Sequence, residues 1–150
     1  MVTAFRSSLL VAALVIALSA CRQNSVQNHA GGNIPVYESQ EFLDFYEKFG
    51  TDSVYQMEHI IFPLEGMPAL QDTSDVIPVD FKWQRDSWIL HKPYDDMNGT
   101  FTREFIDFKG IVIEKIADHS GRYSMERRFS KLPDGWHLIY YRAMGLSDFN

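Results

Sequence analysis

Few residues in this chain can do chemistry by type and spacing, and most of them stand alone. The single cysteine, Cys21, directly follows Leu18-Ser19-Ala20, and a lone cysteine excludes an intramolecular disulfide. An unpaired thiol is a liability in an oxidising compartment, so its placement behind two small residues calls for a reason. The histidines, His29, His59, His91, His119 and His137, are scattered along the chain, and a zinc or iron site needs converging ligands, so no metal site is expected. There is no Gly-x-Ser-x-Gly nucleophile motif and no glycine-rich phosphate loop, so no catalytic residue is assigned and no cofactor is expected. Two arginines stand out. Arg127 alternates in register with Tyr123, Met125 and Phe129, and Arg142 with Trp136, Leu138 and Tyr140. If those rings point inward, so does a guanidinium, which then needs a carboxylate or an anionic ligand. The other reading lays the arginine stems over the rings at the sheet rim with their heads in water. Glu104, Asp107 and Glu114 are eligible partners.

The position of Cys21 is explained by what precedes it. Arg6 gives a modestly positive start, and residues 9–18 form an uninterrupted apolar run of about ten residues, the size of a signal-peptide core. Crossing the hydrocarbon takes roughly 20 apolar residues, and this run meets Arg22-Gln23-Asn24 too soon. The run is therefore expected to insert for processing rather than to anchor.

Leu18-Ser19-Ala20-Cys21 resembles the bacterial lipoprotein signal, in which leucine, two small residues and cysteine are read by a lipid transferase and a signal peptidase. The resemblance implies that Cys21 takes a diacylglyceryl group as a thioether, becomes the first residue and is further acylated at its new amino terminus. Several acyl chains make the tether stable where one gives only marginal binding. An aspartate after the cysteine often retains such proteins in the inner membrane; Arg22 stands there, which by resemblance favours the outer membrane. The acidic cluster that resembles a surface-export signal is missing, so the periplasmic side is expected.

About 130 residues follow the signal, enough for one domain. The net charge of -6 offers no basic stripe, so nucleic acid is not an expected partner, and attachment to anionic lipid would depend on the acyl chains alone. Aromatic residues make up 14% of the chain, which points to a core built on rings or to a ring-lined cavity. The expected organisation is a signal peptide over residues 1–20, the lipidated cysteine and a flexible linker over 21–36, and an α+β domain over 37–150.

Within that domain, Ser39 precedes Phe42, Phe45, Tyr46 and Phe49, whose spacing puts four rings on one helical face, with Gly50 as the C-terminal cap. Ser53 and Gln56 have capping-box spacing and open a second, shorter helix. A short strand is expected at residues 60–62, then an irregular connection punctuated by Pro63, Gly66, Pro68 and Pro78. Val79, Phe81 and Trp83 alternate with polar residues as in a half-buried strand. Residues 100–108 fit a helical face or a strand, and strand is favoured. Strands are expected at 111–117, at 123–129 and, after the Leu132-Pro133-Asp134-Gly135 turn, at 136–143. The last strand places Trp136, Leu138, Tyr140 and Arg142 on one face and His137, Ile139, Tyr141 and Ala143 on the other. Both faces carry apolar bulk, which suggests helices on one and a partner or long loop on the other.

Residues 42–49, 51–56 and 61–64 resemble the opening of an uncharacterised family of Bacteroidetes-type lipoproteins, itself similar to the NTF2-like (cystatin-like α+β) superfamily. The resemblance implies N-terminal helices packed into the concave face of a bent antiparallel sheet, with a cup between them as the ligand site. Cup candidates are Tyr46, Trp83, Tyr123, Arg127, Trp136, Tyr140 and Arg142. Three functions follow: a non-catalytic, membrane-tethered lipoprotein that binds a small molecule or an envelope protein through its cup or exposed sheet face; an isomerase- or dehydratase-like enzyme; or an assembly protein acting as a homodimer through its sheet face. The first is favoured. A carboxylate or His137 within reach of Tyr46 or Tyr123 in a closed cavity would favour the enzyme, and a filled cup would remove it.

Overall fold

Phe42, Phe45 and Phe49 recur on one side of the first helix, and the fold is arranged to bury them. The computed structural model describes residues 34–147 apart from Thr73 and Ile77. The expected signal peptide, Cys21 and most of the linker lie outside the described residues. After a short 3-10 turn at Val36–Glu38, helix α1 (Gln40–Thr51) is capped by Ser39, whose hydroxyl accepts from the Phe42 amide. Helix α2 (Ser53–Glu58) begins one residue earlier than its capping-box spacing suggests. Asp52 is the cap and its carboxylate accepts from the Val54 and Tyr55 amides, which frees Gln56 for another role. Gly50 lies inside α1 rather than past its end. A side chain there would press on the Pro93 ring, at 3.3 Å.

Six strands form one sheet: β1 (Ile60–Met67), β2 (Lys82–Trp83), β3 (Phe101–Phe108), β4 (Ile111–Asp118), β5 (Tyr123–Leu132) and β6 (Gly135–Leu146). Their order is β2-β1-β6-β5-β4-β3; β1 runs parallel to β6 and every other pair is antiparallel. Residues 100–108 thus contain a strand. Strand β1 outlasts its expected end and carries Pro63. Proline has no N–H for the ladder, and the pairing with β6 is irregular between Ile60 and Glu65. The strand expected around Val79 shrinks to Lys82–Trp83, with Val79 fully exposed in a turn.

The core lies between α1 and the sheet. Phe42 meets Trp136 edge-on at 5.1 Å between ring centres, and Phe45 and Phe49 meet Phe129 at 5.7 and 5.6 Å in the same manner. Edge-to-face contacts of this kind add about 0.5–1.5 kcal/mol each beyond area burial. Leu64, Val112 and Leu138 close the layer.

The alternation expected for β6 breaks at Ile139. Leu138 faces Phe129 but Tyr140 faces Arg128, so Ile139 is an extra residue, a bulge. One extra residue reverses which face the side chains after it take, here as far as a second irregularity between Arg142 and Gly145. Trp136 and Leu138 face the core as expected; Tyr140 and Arg142 lie on the opposite, outer face, and Tyr141 replaces them inside.

Candidate functional site

Strand β4 is built of β-branched and aliphatic residues, and the alternation that buries Val112 and Ile116 buries Glu114 completely between them. A carboxylate with no access to water needs partners for both oxygens. Arg127, directly opposite on β5, donates from Nε to Glu114 Oε2 at 2.6 Å, and the Tyr46 hydroxyl donates to Oε1 at 2.5 Å. Arg127 also donates from Nη2 to the Tyr46 oxygen at 2.9 Å, and its Nη1 stands 3.4 Å from His91 Nδ1. Since a guanidinium only donates, His91 Nδ1 is the acceptor there and its proton sits on Nε2.

The electrostatics follow from this enclosure. Burial lifts the Tyr46 phenol well above its ordinary range, with Glu114 adding to the effect, so it stays protonated as a donor. Burial works most strongly against the Arg127 charge, but Glu114 together with Tyr46 and Tyr141 outweighs it and holds the guanidinium above its ordinary pKa. Burial and then the Arg127 charge push His91 down to about 3, so its imidazole is neutral at physiological pH.

His91 is placed by a second buried polar residue. Gln56 accepts the His91 amide at 2.7 Å and donates from Nε2 to the Phe49 and His91 carbonyls at 2.6 and 2.9 Å. The Trp88 indole completes its set at 3.4 Å. One glutamine therefore pins the loop after β2 to the end of α1. Around His91, the rings of Trp88 and Tyr141 stand 4.7 and 4.5 Å away, and Trp83 joins Tyr141 at 5.3 Å and donates its indole N–H to the Tyr141 carbonyl.

Beside this cluster, between the end of α1 and Lys92-Pro93, a pocket of about 210 Å³ remains, walled by Phe49, Gly50 and Pro93 with Tyr46 and Arg127 on its inner side. A wider groove of about 460 Å³ runs along α2 past Val54, Met57, Arg85, Trp88 and Leu90.

A helical pair laid on a six-stranded sheet of this order, with β1 parallel to β6, sets up the comparison with known structures. Over 73% of its length the chain is similar to a crystal structure of an NTF2-like protein from Bacteroides fragilis, with a TM-score of 0.50 and 20% identity. This is an NTF2-like fold. The match spans 49% of that protein, about half its length. No protein-family model and no curated protein matches the sequence.

The NTF2-like cup brings together only part of the expected set. Tyr46 and Arg127 meet, and Trp83 reaches them through Tyr141 and His91. Trp136 is spent on the core against Phe42. Tyr123 is 41% exposed, with Arg122 near its ring. Tyr140 and Arg142 are outside the cup because of the bulge; Arg128 covers the Tyr140 ring at 4.2 Å and Arg142 donates to Ser124 Oγ at 3.0 Å. The arginine question therefore divides. Arg127 is the inward guanidinium with a carboxylate partner, and Arg142 belongs to the outer face. The outer face is mixed: the pairs Glu65–Lys82 and Arg128–Glu126 share it with apolar residues such as Ile106 and Ile113, which stand opposite each other on β3 and β4.

Sequence reasoning underrated Glu114 and missed Gln56, His91, Lys92 and Tyr141. The signal for Glu114 was present: a lone carboxylate in phase with Val112 and Ile116 on a strand otherwise fit for burial. Two histidines remote in sequence do meet, His59 and His137, with rings stacked at 5.1 Å. Each presents Nδ1 to a backbone carbonyl, Tyr55 at 2.8 Å and Gly135 at 3.1 Å. Asp134 Oδ2 stands 3.7 Å from His137 Nε2, yet among the described residues no three ligand-type side chains converge to hold a metal ion.

Proposed function

We propose that this protein is a non-catalytic, lipid-tethered binding protein of a bacterial cell envelope, whose NTF2-like domain takes a small ligand in the pocket beside α1. One observation carries the binding reading: Glu114 has both oxygens committed to Tyr46 and Arg127, and the floor of the cup is filled by phenylalanine rings. Glu114 does lie within hydrogen-bond reach of Tyr46, which the enzyme reading asks for, but an isomerase or dehydratase needs a base or acid free to reach substrate, and both oxygens of this buried carboxylate are engaged. The space left is the 210 Å³ pocket. A cavity of about 150 Å³ suffices for benzene, so the pocket suits a ligand of roughly one ring. Lys92 at its margin can pair with an anionic group on that ring, although Glu47 lines the same pocket and Arg127 on the inner wall is already paired with Glu114.

The tether rests on Leu18-Ser19-Ala20-Cys21 and the apolar run before it, and Arg22 favours the outer membrane, facing the periplasm. The resemblance of residues 42–64 to uncharacterised Bacteroidetes-type lipoproteins agrees with that address. Calorimetric titration with benzoate as the probe tests the pocket: saturable binding weakened by Lys92→Ala supports it, and no heat of binding with benzoate removes it. Incorporation of a clickable fatty acid tests the tether separately. Cys21→Ala should abolish labelling, and equal labelling of both chains would refute the anchor.

A further inference from the structure

Strand β3 ends the sheet, and the described residues leave most of its outer edge without backbone partners. Its hairpin to β4 turns through Lys109 and Gly110 at φ 53° and 82°, the left-handed pair of a two-residue type I′ turn. Such a turn makes Phe108 and Ile111 a hydrogen-bonded pair, so the even-numbered residues of β3 bond to β4 and the odd-numbered ones aim their N–H and C=O groups outward. Phe101 follows this rule: its amide donates to Asp96 Oδ2 at 2.9 Å and its carbonyl accepts from the Tyr94 hydroxyl at 3.1 Å. Arg103, Phe105 and Asp107 have no such cover among the described residues.

We propose that this edge pairs with the same edge of a second copy of the chain, antiparallel about a two-fold axis at Phe105. A two-fold axis normal to the sheet keeps each residue on its own face, so odd-numbered residues meet odd-numbered ones. Centred on Phe105, Arg103 of each copy stands opposite Asp107 of the other, and the exposed backbone groups close about six hydrogen bonds. Neighbouring registers are penalised. A shift one way opposes Glu104 to Glu104 and the other way Arg103 to Lys109; the next shifts oppose Arg103 to Arg103 or Asp107 to Asp107. Like charges directly opposite destabilise a pair of strands, so one register survives. Within one chain Arg103 and Asp107 lie about 13 Å apart along the strand, beyond pairing distance. Arg103 instead lies over the Tyr94 and Phe105 rings, and Asp107 Oδ2 accepts the Val36 amide. This contact runs along the sheet edge and leaves the outer sheet face uncovered.

The test uses the full chain carrying Cys21→Ser, followed by sedimentation velocity over a range of concentrations. The parent chain should dimerise, Arg103→Asp or Asp107→Arg alone should weaken the dimer about tenfold or more, and the two together should restore it, since the charges merely exchange sides. Oxidation adds a second readout. Chains with Glu104→Cys mixed with chains with Ile106→Cys should form a mixed disulfide, because opposed residues in a non-hydrogen-bonded pair stand about 4.5 Å apart, while Glu104→Cys alone should give none. A chain that stays monomeric throughout, a dimer indifferent to both reversals, or a Glu104→Cys homodimer would overturn the proposal.

Discussion

The Tyr46 hydroxyl stands between two buried charges, donating to Glu114 Oε1 at 2.5 Å while accepting from Arg127 Nη2 at 2.9 Å. It closes a ring of three groups in which each satisfies the other two. The ring joins α1 to the centre of the sheet, so its loss should register as global stability. Tyr46→Phe deletes hydrogen bonds to charged groups and should cost about 1.5–3 kcal/mol. Glu114→Gln leaves the guanidinium buried without a counter-charge and should cost about 3–5 kcal/mol. Urea unfolding of the three chains checks the order; a Glu114→Gln chain as stable as the parent would contradict the ring.

His91 makes the fold acid-sensitive. Its imidazole is held at about 3 against an ordinary 6.5, so between these values the unfolded chain binds a proton that the folded chain refuses. Its contribution to stability is intact above pH 6.5 and is lost as pH falls toward 3, at up to about 1.4 kcal/mol per pH unit. Chemical denaturation at several pH values should show a shallower acid slope for His91→Asn than for the parent. Parallel slopes would mean that His91 takes no part.

Gln56 has its amide fully used. Gln56→Leu keeps the volume but strands the Phe49 carbonyl and both backbone groups of His91. At about 1–3 kcal/mol for each buried orphan, the loss should rival that of the ion pair. Hydrogen exchange at the His91 amide gives a local reading, and should accelerate with it.

Gly66 is required by close approach. A methyl group there would overlap the Tyr141 carbonyl and stand 2.7 Å from Trp83 Nε1, so Gly66→Ala must part β1 from β6 or displace the indole. Loss of about 2 kcal/mol or more is expected, while Gly99→Ala, with open space around it, meets no such contact. The thermal midpoint of Gly66→Ala against that of the parent chain reads the packing cost, whereas Gly99→Ala would report backbone strain alone, since Gly99 carries φ 63°.

These residues show how far local patterns reach. The α1 face was legible because four rings at helical spacing can be buried in only one way, and the β4–β6 region was legible because turn residues delimit it. The cup was legible in part. Arg127 showed itself by alternating with rings on a strand that keeps its phase opposite β4. Arg142 misled because the extra residue at Ile139 has no signature of its own: it shows only when β6 is set against β5. Gln56 misled because its spacing from Ser53 fits a cap equally well, and only the loop that returns beside α2 shows otherwise. His91 and Lys92 come from that loop, whose path follows tertiary contacts and no periodic pattern.

The bulge has a consequence for how the chain can change. Along one strand, Trp136 and Leu138 answer to the interior, while Tyr140 and Arg142 answer to solvent and to neighbours on the outer face. The first group is therefore constrained by the ring core and the second by its contacts with Arg128 and Ser124, so a single strand carries two separate sets of structural demands.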